Sequence, residues 1–386
     1  MVYGILLPVV IFMAGERDFR HIKRVVVKVG SSSIIYPTGR PNLSQMEQLA
    51  RQLADLHNQG KEVLLVTSGA IGVGQHRLGY TRRPRTIPEK QAAAAVGQGM
   101  LMHMYDKFFG EYGVAVGQIL LTREDFSDRK RFLNARNTMY TLLRQGVVPV
   151  INENDTVAVE EIKLGDNDNL AALVATLVDA ELLILLSDID GLYDADPRKN
   201  SGARLIAEVH EITPELEALS GGAGTPVGTG GIVTKLQAAR IAMHSGIVTV
   251  LASSSEKDVV RRVVAGEPLG TVFWPCSRLE KKKCWIAYSS TVHGRIYVDE
   301  GAARALLENG KSLLPSGIIR VEGSFEMGNT VSICDPAGKE IARGIVNYSS
   351  AEVERIKGIQ TREIARVLGH KDYDEVVHRN NLVLDI

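Results

Sequence analysis

Several stretches of this sequence place small, charged and amide side chains where apolar runs end. Lys28-Val29-Gly30-Ser31-Ser32-Ser33 sets a lysine at the close of one such run, before a turn of small residues. Backbone N–H groups of such a turn can cradle an anion, and an ammonium adds a point charge. An ordinary tight turn with a surface lysine would use the same residues. Thr67-Ser68-Gly69-Ala70-Ile71-Gly72-Val73-Gly74 repeats the theme, either as an anion-binding turn or as a helix-packing turn. Neither stretch has the spacing of a P-loop or of a dinucleotide-binding GxGxxG.

Two further polar groups lie close together in sequence. Asn152-Glu153-Asn154-Asp155 follows the apolar run 147–151, and Asp166-Asn167-Asp168-Asn169 precedes a helical pattern. Helix caps and Asx-turns account for one or two such residues, not for the whole cluster. Ser187-Asp188-Ile189-Asp190-Gly191 follows the apolar run 182–186 and reads as a nucleotide-binding loop or as a plain acidic one. Gly228-Thr229-Gly230-Gly231-Ile232-Val233-Thr234-Lys235 leads a glycine-rich loop into a helix with a lysine in its first turns. A helix N-terminus plus an ammonium favours phosphate.

The elements that must hold these residues alternate regularly. Strands are expected at 25–29, 62–67, 114–121, 147–151, 182–186 and 247–251, and helices at 88–109, 129–145, 168–179 and 232–245. Another helix, opening on a Ser44 to Glu47 capping box, should stop at Gly60. Near-continuously apolar strands between amphipathic helices indicate a mostly parallel sheet covered on both faces. Such sheets bind ligands at the carboxyl ends of their strands. After Trp274 the texture changes to short runs at 286–288, 293–298, 317–321, 330–334 and 341–348, with a helix over 351–367, as in a small β-rich second domain.

Composition narrows the function classes. The chain has 386 residues, 45% hydrophobic and 23% charged, with no net charge. That length predicts two domains, and a neutral chain is a poor generic nucleic-acid binder. Cys276, Cys284 and Cys334 match no zinc or CxxC spacing and suit a reducing cytoplasm. The apolar run 3–14 is too short to span a bilayer and lacks a basic flank, so residues 1–20 are expected to be a disordered extension.

Taken in order, VVVKVGSSS, LLVTSGAIGVG, RFLNARNT, VVPVINENDTV, GDNDNLAALVA, SDIDGLYDADPR and GTGGIVTKLQAA resemble the amino acid kinase family from about Arg24 to Glu267. The NEND and GDNDNL pair resembles those members that phosphorylate the side-chain carboxylate of L-glutamate. From Arg278 to about Val367 the chain resembles a PUA domain. The resemblance implies an α/β fold: a three-layer αβα sandwich with a mostly parallel sheet, plus a small β-rich PUA-like domain. The expected boundaries are an extension at 1–20, a catalytic domain at 21–270, a linker at 271–282, the PUA-like domain at 283–370 and a tail at 371–386.

The resemblance also implies MgATP as the donor. Lys28 and Lys235 would flank the transferring phosphoryl group, with Asp168 orienting both ammonium groups. Backbone N–H groups at Gly30 and Gly69 would stabilise developing charge. Ser68, Asp155 and Asn167 match substrate positions, and Lys28, Ser187, Asp188, Thr229, Gly230, Gly231, Ile232, Val233, Thr234 and Lys235 match the ATP site. No protein ligand to Mg²⁺ is identified. Proline as feedback inhibitor, a reductase consuming the product and a homodimer or homotetramer are implied as partners.

Two other readings compete. The PUA-like end could make the protein an RNA-binding or RNA-modification accessory. Residues 277–386 hold 16 Lys+Arg against 15 Asp+Glu, however, which is too balanced for tight phosphate binding. Another carboxylate acceptor, such as N-acetylglutamate or carbamate, is disfavoured by the NEND and GDNDNL pair.

Overall fold

A computed structural model of the chain describes residues 17–158, 167–195, 200, 202–220, 231–275, 283 and 285–384. Its first domain is laid down in chain order as β1 (Arg24–Val29), α1 (Ser31–Ile34), α2 (Leu43–Asn58), β2 (Glu62–Thr67), α3 (Ala70–Arg77), α4 (Ile87–Gly110) and β3 (Val116–Leu121). Next come α5 (Arg123–Ser127), α6 (Arg129–Arg144), β4 (Val148–Glu153), α7 (Asn167–Leu177), β5 (Leu182–Ser187), β6 (Leu192–Tyr193), β7 (Leu205–Ile206) and β8 (Glu208–Val209). The domain closes with α8 (Pro214–Ser220), α9 (Ile232–His244), β9 (Val248–Ser253), α10 (Val259–Val264) and β10 (Thr271–Phe273).

Eight strands form one sheet in the order β3-β4-β2-β1-β5-β9-β10-β8. From β3 to β9 every pairing is parallel, and β10 runs antiparallel to β9. The order reverses direction at β1, which has β2 on one side and β5 on the other. Parallel register brings Val29 level with Thr67 and with Leu186, so the carboxyl ends of the central strands meet at one edge. That crevice is where such sheets bind ligands.

The strands are buried on both faces, as their unbroken apolar runs require. Val25, Val27 and Val29 pack with α2, α4 and α10, while Val26 joins α7 and α9 on the opposite face. Alternation along the strand therefore sends Lys28 to the α7 and α9 side. The close approach of α3 to α4 depends on glycine: a Cβ at Gly74 would lie 1.7 Å from Ala93 O, and one at Gly97 would lie 1.8 Å from Ala70 O.

Two local readings change. The cap of α2 is Asn42, whose side chain accepts from Gln45 N at 3.2 Å. The helix starts one residue before Ser44, so Ser44 sits inside the first turn and its hydroxyl accepts from Gln48 instead. Capping boxes lie instead at Thr86 and Glu89, opening α4, and at Thr122 and Asp125, opening α5. Phe19, expected in the extension, is buried against Trp274 with ring centroids 6.1 Å apart.

The second domain contains β11 (Val292–Val298), α11 (Glu300–Asn309), β12 (Ile318–Gly323), β13 (Thr330–Cys334), β14 (Glu340–Ile345), α12 (Ser350–Ile356), α13 (Ile364–Leu368) and β15 (Leu382–Leu384). Its sheet runs β12-β11-β13-β14-β15 over a core that includes Ile296, Leu306, Ile333 and Tyr348. The expected run at 286–288 is a π-helical turn, Trp285–Ser289. Ile286 and Ala287 are both fully buried, which a one-sided strand cannot achieve for adjacent residues. The stretch expected as a tail supplies β15, paired antiparallel with β14.

Candidate active site

Lys28 is the fifth residue of β1 and is 4% exposed. Asp168 is the second residue of α7 and is fully buried, in the helix turn where an anion is favoured by the backbone dipole. Lys235, at the start of α9, is 7% exposed. Because α7 and α9 pack side by side on the Lys28 face of the sheet, the three side chains converge. Lys28 Nζ lies 2.6 Å from Asp168 Oδ1, and Lys235 Nζ lies 3.2 Å from Asp168 Oδ2. The Thr234 hydroxyl donates to the same Oδ2 at 3.1 Å.

Burial pushes the Asp168 carboxyl up, but the Lys28 and Lys235 ammonium groups more than offset this and hold it below the usual carboxylate range. Asp168 is therefore a carboxylate clamped between two cations. Two ammonium groups and one carboxylate leave a net positive charge in a low-dielectric crevice, where it acts strongly on an incoming anion. Each carboxylate oxygen takes a different lysine, so the spacing of the ammonium groups is set before any ligand arrives.

A second polar chain lies beside this one. The two N–H groups of Asn167 Nδ2 are shared among three acceptors, Thr67 O at 2.8 Å, Ser68 Oγ at 2.7 Å and Asn152 Oδ1 at 2.9 Å. Asn167 thereby ties the start of α7 to the ends of β2 and β4. Gly69 turns the chain from β2 into α3 at φ +99°, a left-handed conformation that glycine adopts without strain. A Cβ there would press on Ile34 and Ile35 at 3.1 and 3.0 Å. Gly30 is extended, and a Cβ on it would lie 3.7 Å from Lys28 Nζ.

The remaining expected residues are more dispersed. Asp155 sits half-buried in the turn after β4. Ser187 ends β5, buried, with its hydroxyl donating to Asp188 at 3.1 Å and its carbonyl accepting from Ser254 N at 2.7 Å. Asp188 itself is exposed. Gly231, Ile232, Val233 and Thr234 form the entrance to α9, whereas Thr229 and Gly230 lie outside the described residues. Among the described residues, no group of three or more His, Cys, Asp or Glu side chains could hold a metal ion.

Sequence reasoning placed Asn152 in the polar cluster after the apolar run 147–151 without a role of its own, and overlooked the buried amide Gln98 altogether. Asn152, 2% exposed, donates to Gln98 Oε1 at 2.9 Å while accepting from Asn167. Gln98 is the long amide within the small-residue stretch AAAAVGQGM of α4, a signal available in the sequence and not used. The glycines at 69, 72 and 74 also divide their roles. Gly69 makes the turn and Gly74 packs helix on helix, so the helix-packing reading of that stretch holds at Gly74.

The amino acid kinase family model matches residues 23–253, and the PUA domain model matches residues 294–368. The glutamate 5-kinase of Moorella thermoacetica is 57% identical over 374 residues, spanning 96% of this chain and 99% of the relative. That of Caldanaerobacter subterraneus subsp. tengcongensis is 56% identical over 362 residues, 94% of this chain and 97% of the relative. Among solved structures, the UMP kinase of Bacillus anthracis matches at 17% identity, covering 67% of this chain and 98% of that one, with a TM-score of 0.46. With the motifs in order, the parallel sheet and near full-length relatives, the chain belongs to the amino acid kinase family, in the branch formed by the glutamate 5-kinases.

Proposed function

We propose that this protein transfers the γ-phosphoryl group of ATP to the side-chain carboxylate of L-glutamate, giving L-glutamyl 5-phosphate, the first step of proline biosynthesis. The observation that carries this reading is the Lys28–Asp168–Lys235 cluster at the carboxyl edge of the sheet. The relatives' name supplies the acceptor.

A carboxylate oxygen attacks the γ-phosphorus as the bond to the β,γ-bridging oxygen breaks, and ADP leaves. The acceptor is already ionised at neutral pH, so no proton has to be removed and no general base is needed. The difficulty is repulsion between two anions. Lys28 and Lys235 neutralise charge on the transferring group, and Asp168 holds both ammonium groups in place. Backbone N–H groups at Gly30 and Gly69 add donors as charge shifts. Ser68, Asn167 and Asp155 hold glutamate, with Asp155 pairing with its α-ammonium. Ser187, Asp188 and the entrance to α9 receive the nucleotide. Mg²⁺ arriving with ATP would be held mainly by nucleotide oxygens and water and would supply further charge neutralisation.

The product is an acyl phosphate that hydrolyses readily, so a reductase consuming it, feedback by proline, a homo-oligomer and a cytoplasmic setting complete the proposal. No helix among the described residues is long and apolar enough to cross a membrane. The test is γ-glutamyl hydroxamate formation with MgATP and hydroxylamine, offering L-glutamate, L-aspartate and N-acetylglutamate in parallel. Signal with glutamate alone is expected. Folded protein that phosphorylates none of them, or prefers another acceptor, refutes the assignment.

A further inference from the structure

Gln98 stands apart from the residues that the mechanism uses. It lies on α4, one residue after Gly97, where α4 packs on the backbone of α3 just beyond the Ser68–Gly69 turn. It is 7% exposed, and its Nε2 finds no hydrogen-bond partner among the described residues. A buried donor left unpaired is costly, so an amide here needs a compensating role. Its oxygen has one: Gln98 Oε1 accepts from Asn152 Nδ2 at 2.9 Å.

That bond holds the nitrogen side of the Asn152 amide, while the Glu153 backbone N–H holds its oxygen side. With Nδ2 of Asn152 turned to Gln98, Oδ1 of Asn152 faces the other way, where it accepts from Asn167 Nδ2 at 2.9 Å and from Glu153 N at 2.9 Å. The Asn167 amide nitrogen then has three acceptors around it and the Asn167 oxygen points elsewhere. The Ser68 oxygen accepts from Asn167, which leaves the Ser68 proton free to donate to a carboxylate. We propose that Gln98 is a positioning residue for the phosphoryl acceptor: it fixes the Asn152 amide, and through it the Asn167 amide and the Ser68 hydroxyl, without touching the substrate. This rests on the proposed glutamate-binding role of Ser68 and Asn167.

The test uses the full chain and the hydroxamate assay, with both substrates varied. Gln98→Met keeps length and bulk but removes the acceptor, leaving Asn152 Nδ2 unpaired and the amide held on its oxygen side alone. The KM for glutamate should rise about tenfold, as expected for one hydrogen bond in a buried chain. The KM for ATP should change by less than about threefold, since uniform substrate binding is what is lost. In an Asn152→Ala background the same change should add less than about twofold, because the route to Asn167 is already cut. Gln98→Glu, which retains an acceptor oxygen, should recover most of the glutamate affinity, and it carries the comparison with Gln98→Leu if the methionine variant does not fold. A wild-type protein that forms no hydroxamate overturns the glutamate reading itself. An active wild type overturns the role of Gln98 if loss of the acceptor leaves the KM for glutamate unchanged, raises both KM values alike, or multiplies with Asn152→Ala.

Discussion

Replacing Asp168 by asparagine removes one charge and almost no volume, so its effect isolates the charge. Lys28 and Lys235 are 4% and 7% exposed, and both are held against the Asp168 carboxylate, at 2.6 and 3.2 Å. Without it, two ammonium groups share a buried crevice with no countercharge. Removing one partner of a buried ion pair costs about 3–5 kcal/mol. For a domain of this size that corresponds to a fall in melting temperature of roughly 6–20 °C. The loss should depend on pH. The folded-state carboxyl titrates below its unfolded value, so its stabilisation is complete above the ordinary carboxylate pKa of about 4 and disappears as pH falls through the folded-state value. Melting curves of the wild type and Asp168→Asn should therefore be furthest apart near neutrality and converge in acid. Turnover should fall by about a hundredfold or more, since neither ammonium is held. A variant that melts with the wild type at pH 7, or whose deficit grows in acid, would show that the carboxylate does not organise the two lysines.

Lys28→Ala should cut kcat by roughly a hundredfold or more, the scale for one transition-state charge stabiliser, and a near-normal kcat would contradict its role. Gly97→Ala should destabilise the fold by about 1–3 kcal/mol in denaturant unfolding, because its Cβ would meet Ala70 O at 1.8 Å; an unchanged midpoint would mean that α3 and α4 can separate freely. With an ionised acceptor, kcat/KM for glutamate should show no general-base ionisation between about pH 6 and 8, and a clear basic limb there would reinstate one. The second domain should show no salt-dependent retardation of RNA in a gel-shift assay, given its balance of charge.

Much of the first domain was legible because its signals are local. Short apolar runs such as those in EVLLVT and LLILLS, bounded by turn residues, read as strands covered on both faces, and glycine stops at 60 and 146 close the helices where the pattern ends. The second domain was read less well. Adjacent buried residues at 286 and 287 mimic a strand but wind into a turn, and β15 is recruited by pairing with β14, which nothing near residue 382 announces. The start of α2 was misread by two residues because Asn42 and Ser44 are both good caps, and only the backbone path chooses between them.

By itself the sequence determined which strand end or helix start each candidate residue would occupy: Lys28 after a buried run, Asp168 at a helix entrance, Lys235 within the first turns of another. Their distances, and the partners that fix them, were decided by tertiary structure. Asp168 lies 140 positions from Lys28 and 67 from Lys235 along the chain. Only the parallel register of β1 with β5, and the packing of α7 beside α9 on one face of the sheet, bring the three into one crevice. The Gln98–Asn152–Asn167–Ser68 chain was hidden for the same reason: hydrogen bonds among amides from separate helices and strand ends have no periodicity in sequence, and burial makes them matter.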